Sequence, residues 1–578
     1  MSNGRRIRRQ ARRTPNLTSQ YPKIPVALDV TIDSVSKAFK NVIKVEFRAM
    51  NSEIPQYLPE GYIDGQILNP EEATKYFNDL CVTLENEANS LAQKYSGARW
   101  LWYFRRISRE FFGGRLPTTA LSHHTLAETL SGFSNLQDDP GRILVNQTNS
   151  YPTTDDALRP VGRMAALAIV MAQCQSSLRR AGKGTFYVVR SDSFPDSVED
   201  LPLESAIEVF DQRVANGGGV SWSQGLNSIT TGFDPSDPPL LTIGIMSGPS
   251  PEITSWLGKI GDSKAIRLNA QFFIRPTSLG DLRNSLNIVG DNNFQWWPDE
   301  LPSLVLLLQV AVQMIFGSEY MGVSIPMFGY VPTTRESLTT FIDLALPSLT
   351  PSLEKLFPGK VPKSGAEVIN HLEAITGICR PFQTGPILRD FDGNVQIDLH
   401  AATQRLRHMI TMPRDLGGVL VNIVSKQFEL FVQDELNNSE FAPSDYLRKL
   451  RGRDLRKSSR TITDLDAAGQ RDGKLLIVSC KNIPFTERYN AGEHSIVRNV
   501  EQRLDQSVSE LDEVLATLRQ YPVGDNYDFS SYHEIIGVVV TPHVMFSRSN
   551  NTNSFIGPDA SLRKASSVGE LLKYVYRK

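Results

Sequence analysis

Thr461-Ile-Thr-Asp464-Leu-Asp466-Ala-Ala-Gly-Gln-Arg-Asp472-Gly473-Lys-Leu-Leu-Ile-Val-Ser479-Cys480-Lys481 is the stretch from which the fold is read. Two runs that suit strands flank Asp472-Gly473, a dipeptide that favours the positive backbone angles of a tight hairpin turn. With the turn there, Asp466 is expected opposite Ser479 and Asp464 opposite Lys481. Side chains alternate along a strand, so all four would project from one face. The second strand is otherwise a continuous apolar run fit for burial on both sides. Charge at the end of such a strand is costly unless it is used or solvated.

Working outward, residues 418–436 read as a helix, with Leu420, Val424, Phe428, Phe431 and Leu436 near helical spacing and Glu429 at the flank of that face. Downstream, Val497, Val500, Leu504, Val508, Leu511, Leu515 and Leu518 mark a long amphipathic helix. Glu534-Ile-Ile-Gly-Val-Val-Val-Thr541 then reads as a buried strand. Strand, helix, strand in that order implies a right-handed parallel crossover.

This order, with Asp466 before the turn and a closing Ser-Cys-Lys, resembles the core of the restriction-endonuclease-like PD-(D/E)XK nucleases over residues 411–550. The resemblance implies a central mixed sheet flanked by helices and metal-dependent hydrolysis of phosphodiester bonds with Mg²⁺ or Mn²⁺, with DNA preferred to RNA as substrate. Asp466 matches the family's first metal-binding Asp. Lys481 matches the Lys that positions or activates the attacking water. Ser479 stands where the family usually carries Glu or Asp, and Glu429 matches a Glu on the helix before the first catalytic strand. The backbone carbonyl of Cys480 is a further implied metal ligand. Mg²⁺ takes oxygen ligands, commonly one or two carboxylates plus phosphate and water. Asp464 is therefore the residue expected to replace the charge missing at Ser479, with Glu501 as another candidate. Fold-level analogy extends the expectation to restriction, defence or repair. The alternative opened by Ser479 is a nuclease-like module that binds nucleic acid or a protein without cutting.

The 578 residues allow several domains. A formal charge of −2 means that any surface for nucleic acid must be local. Cys81, Cys174, Cys379 and Cys480 form no CxxC pair, which leaves no zinc motif and fits a reducing, cytoplasmic compartment. Leu301 to Phe316 is interrupted by Pro302, Ser303, Gln309 and Gln313 and reads as a buried soluble helix, so no membrane partner is expected. No phosphate-binding loop of the GxxxxGK[ST] form occurs at Ala181-Gly-Lys-Gly-Thr or Asn216-Gly-Gly-Gly.

The whole is expected to be α/β: a basic tail over 1–20, a mixed α/β region over 21–285, a mainly helical region over 286–410 and the nuclease-like region over 411–578. Pro25-Val-Ala-Leu-Asp-Val-Thr-Ile suggests a strand, and the prolines between Pro347 and Pro362 suggest a surface connection. Trp100, Trp102, Tyr103 and Phe104, among Arg99, Arg105, Arg106 and Arg109, read as a packed element with a solvated basic edge. His123-His124, with Glu128 one turn on, reads as a surface or capping feature. Arg448, Lys449, Arg451, Arg453, Arg456, Lys457 and Arg460 precede the hairpin with Asp454 the sole acid from Leu447 to Arg460. They are candidates for phosphate contacts with a nucleic-acid partner, or a solvated connector. Cutting both strands of a duplex would need two such sites, hence a homodimer or a partner protein.

Overall fold

The computed structural model describes residues 24–112, 117–136, 143–145, 148–216, 239–245, 272–277, 300–317, 325, 327–374, 385–391, 394–411, 419–556 and 561–576. The expected basic tail, Cys379 and the side chains of Leu420 and Val424 lie outside the described residues. What is described is a mixed α/β protein with several small sheets.

The first core is helical. α1 (Ile24–Glu53) overturns the strand expected at Pro25. Proline in a first helical turn gives up no hydrogen bond, and Val35, Phe39, Val42, Ile43 and Met50 recur at helical spacing and are buried. A face with a core to cover outweighs the local β preference of Val and Ile. α2 (Pro70–Ala92) is fixed at its start by a capping box between Asn69 and Glu72. α3 (Gly97–Phe104), α4 (Pro117–Ser131) and α5 (Asp155–Gly182) complete this layer, and α6 (Leu201–Ala215) follows.

Arginines near α3 are not a solvated edge. Arg99, Arg105 and Arg106 are buried, and Arg105 is 1% exposed. Arg105 Nε lies 2.6 Å from Glu128 Oε1, and its Nη2 lies 3.2 Å from both oxygens of Asp398. Arg389 reaches the same Asp398 at 3.4 Å. His124, expected at the surface, is buried, with Nδ1 3.5 Å from Glu128 and Nε2 2.8 Å from the Phe104 carbonyl. Burial pushes His124 and His400 down to about 4. Burial opposes the charge on Glu128, but Arg105 draws that carboxyl down to about 2. A buried charge persists only with such partners.

The second core contains a ribbon of β1 (Leu240–Ile245) and β2 (Phe272–Thr277), the buried helix α7 (Glu300–Gly317), β3 (Tyr330–Thr334), α8 (Arg335–Leu356), α9 (Gly365–Ala374), β4 (Leu388–Phe391), β5 (Asn394–Asp398) and α10 (Leu399–Thr411). Strands β3, β5 and β4 form an antiparallel sheet in that order. The expected connection at Pro347 is instead part of α8, which runs through Pro347 and Pro351. Each proline forfeits a helical hydrogen bond. Burial of Leu338, Ile342, Leu346, Leu349, Leu353 and Leu356 along one face offsets the loss.

The carboxy-terminal region begins with α11 (Val419–Asn437), then an antiparallel ribbon of β6 (Asp454–Lys457) and β7 (Arg460–Asp464). Next come β8 (Ala467–Arg471), β9 (Lys474–Cys480), the long α12 (His494–Gln520), β10 (Glu534–Thr541), β11 (Ala565–Ser567) and α13 (Val568–Val575). The main sheet has the order β8-β9-β10-β11, antiparallel between β8 and β9 and parallel thereafter. Asp472 at φ 50° and Gly473 at φ 72° make the hairpin turn.

Period-two alternation sorts β9 between two helix layers. Leu475 and Ile477 pack in the α12 cluster, while Leu476, Val478 and Cys480 pack with Phe428, Val432 and Leu436 of α11 and with α13. α12 approaches so closely that a Cβ on Gly537 would lie 2.7 Å from Leu515. α6 joins the same region from far upstream. Leu203 and Ile207 enter the α12 cluster, and Arg213 pairs with Glu570 at 2.8 Å and donates to the Ala565 carbonyl at 2.8 Å.

Candidate active site

One continuous strand from Thr461 to Arg471 does not form. The chain changes sheets at Leu465-Asp466, and Asp464 pairs with Asp454 of β6 rather than with Lys481. Leu465 causes the break by bonding outside the hairpin. Its carbonyl accepts from Gly452 at 2.8 Å, and its N–H donates to the Arg453 carbonyl at 3.2 Å. The β8–β9 register ends at Ala467 against Val478, one step before Asp466 would face Ser479.

At that end the side chain of Asp466 takes over from the ladder. Lys481 N–H donates to the Val540 carbonyl of β10 at 2.8 Å. Successive peptide groups alternate in direction, so the N–H and carbonyl of Cys480 point toward β8. Asp466 Oδ2 accepts that N–H at 2.7 Å, and the Asp466 carbonyl accepts from Gln433 Nε2 of α11 at 2.5 Å. Lys481 follows directly, half-buried at the carboxyl end of β9. The crossing of two sheets thus fixes both the backbone and the carboxylate of Asp466.

Electrostatics gather the rest of the site. Burial pushes the Asp466 carboxyl up to about 6; the Cys480 N–H opposes this, the negative charges of Asp464 and Glu429 add to it, and Lys481 opposes it. Burial, with Asp466 and Glu429, also holds the Cys480 thiol well above its ordinary value. Glu429 reaches in from α11 paired with Lys426 at 2.7 Å. Asp466, Asp464, Glu429, Cys480 and Lys481 therefore influence one another, while Ser479 lies half-buried beside them. Glu501 is excluded from the set. It grips Arg548 with both carboxylate oxygens at 3.2 Å and accepts the Arg548 N–H at 2.7 Å.

Lys426 and Gln433 are the residues that the hairpin motif does not point to. Their signal is helical: Lys426, Glu429 and Gln433 fall at i, i+3 and i+7 of α11.

The donors suit a hard cation by chemistry. Carboxylate oxygens and a peptide carbonyl are ligands for Mg²⁺ or Mn²⁺. Among the described residues no three of His, Cys, Asp and Glu form a ready-made metal cage. Mg²⁺ characteristically uses one or two carboxylates and completes its shell with water and phosphate, so the set fits without one.

The basic run is divided by the fold. Arg451 is half-buried and structural, donating to Asn437 at 2.8 Å and to the Ala468 carbonyl at 3.0 Å. Lys457 caps the Val523 carbonyl at 2.9 Å, and the backbone of Ser458 and Ser459 is held by Asp525. Arg448 pairs with Asp445, and Arg456 with Asp454. Lys449, Arg453 and Arg460 are exposed without an ion pair among the described residues. No family model, curated protein or solved structure matches the chain.

Proposed function

We propose that residues 411–578 are a metal-dependent nuclease that hydrolyses phosphodiester bonds in nucleic acid, DNA before RNA, in a cytoplasmic defence or repair role. The observation that carries the reading is the Asp466 carboxylate, anchored on the Cys480 N–H at 2.7 Å beside Lys481 and facing the charges of Asp464 and Glu429. A carboxylate held among others in a half-buried place favours a cation. Asp466 would be the first ligand, the Cys480 carbonyl a second, and Asp464 or Glu429 the added charge that Ser479 does not supply. Bound there, Mg²⁺ or Mn²⁺ would polarise the phosphate and acidify a water. Lys481 places that water and offsets charge developing on the phosphate oxygens. Lys449, Arg453 and Arg460 offer backbone contacts for the polymer.

Ser479 favours a second reading, in which the same site binds nucleic acid or a protein and does not cut. Purified chain incubated with labelled circular DNA, linear DNA and RNA in Mg²⁺, Mn²⁺ or EDTA separates the two. Cleavage that needs metal and is lost in Asp466→Ala and Lys481→Ala is the expected result. Retained binding without cleavage under either metal would replace the enzyme with the binding module.

A further inference from the structure

Lys426 occupies a position that the hairpin chemistry leaves unexplained. Its ammonium is 2.7 Å from Glu429 Oε2, and the bond from Glu429, aided by the charges of Glu429 and Asp466, raises its affinity for a proton. A Cβ on Gly452 would stand 4.0 Å from Nζ, so the ammonium lies between α11 and the bend leading into β6. That bend is the one whose bonds to Leu465 set Asp466 in place. The lysine side chain is 54% exposed and Glu429 22%. A long, half-solvated stem can swing its charge into water with little loss of packing.

We propose that Lys426 is the resident counter-cation of this site: its ammonium holds Glu429 until a divalent ion takes over that charge, and Glu429 then serves as the second carboxylate in place of Ser479. The inference rests on the metal-dependent reading above. Two cations cannot share one carboxylate oxygen at contact distance without repulsion, which is strong where solvent is partly excluded. Release of Lys426 also leaves a mobile ammonium at the mouth of the site, able to meet the phosphate of an incoming strand. Nothing covalent is involved; one ion pair is exchanged for another.

Calorimetric titration of the full chain with Mn²⁺ and with Mg²⁺ at neutral pH, without nucleic acid, tests this. Lys426→Met removes the competitor and is expected to bind metal roughly three- to tenfold more tightly. Lys426→Arg keeps the ion pair and should stay near the wild type. Glu429→Gln should weaken binding, and adding Lys426→Met to it should give no further gain. Wild-type binding that is lost in Asp466→Asn but unchanged or weakened in Lys426→Met overturns this inference and leaves the metal site standing. No binding by either wild type or Lys426→Met overturns both, as does binding that is indifferent to Asp466→Asn.

Discussion

Among the described residues, two dense charge clusters are built on opposite terms. Around Arg105, cations and carboxylates are almost wholly buried and matched in close pairs, with Asp398 shared by Arg105 and Arg389. Around Asp466, side chains are half-exposed, and neighbouring carboxylates oppose its ionisation. The first arrangement completes itself with protein groups and holds two cores together. The second leaves a charge imbalance that an outside ion or a phosphate-bound ion can relieve. Burial and perturbed proton affinity occur in both, so neither alone marks a site; what sets the proposed site apart is its state of pairing.

The largest effect should come from Lys481→Ala, which is expected to reduce metal-dependent cleavage by about 10²–10⁴-fold while leaving the unfolding midpoint nearly unchanged. Single-turnover cleavage beside denaturant titration checks this, and equal losses in both would erase the contrast. Arg105→Ala should do the reverse. Stranding Glu128 and leaving Asp398 to Arg389 alone is expected to cost about 3–5 kcal/mol of stability, seen in the same titration, with cleavage per folded molecule preserved.

Acid should drive the two clusters in opposite directions. His124 and His400 are held neutral down to about 4, below their ordinary value. As pH falls from roughly 6.5 toward 4, the unfolded chain takes up these protons first and the helical regions lose stability. Asp466, with its pKa raised to about 6, binds its proton more readily in the folded chain. Asp466 therefore adds stability as pH falls from about 6 toward the ordinary carboxylate range near 4, while His543, just past β10 and pushed down to about 4 by burial, takes stability from the same region over that window. Hydrogen exchange resolved by region, corrected for its intrinsic pH dependence, should show protection falling around α4 with acid, and around β9 falling more steeply in Asp466→Asn than in the wild type. Identical acid responses of the wild type and Asp466→Asn around β9 would break the comparison. The smallest effect concerns the ribbon: the pair Arg453→Ala and Arg460→Ala should lower the salt slope of DNA binding by about 1 for each phosphate left without its arginine, whereas Arg451→Ala should act on stability instead.

Much of the carboxy-terminal sheet was legible in the sequence because its signals are local. Asp472-Gly473 marks the turn, the run Leu475 to Val478 gives a strand buried on both faces, and the spacing from Val497 to Leu518 gives α12. The break at Leu465 was not legible. Thr-Ile-Thr-Asp-Leu-Asp alternates as a strand should, and only the competing bonds to Gly452 and Arg453 end it. The buried arginines were hidden for a related reason. Arg105 looks like a solvated charge until Asp398, 293 residues away, is placed beside it. Asp466 and Glu429 could be singled out from the hairpin and the helix, but the partnership of Glu429 with Lys426 required knowing which way that face of α11 turns.

The place of α6 has a consequence for how the chain is made. Arg213 clasps Glu570 across a separation of 357 residues, so a growing polypeptide presents α6 to solvent long before the sheet that receives it has been synthesised. During that interval Leu203 and Ile207 lack the cover they have in the finished molecule. Late contacts of this kind delay completion and leave apolar surface open to chaperones or to neighbouring chains. The carboxy-terminal sheet should accordingly acquire its full protection only when α13 has emerged and its Glu570 reaches an arginine made 357 residues earlier.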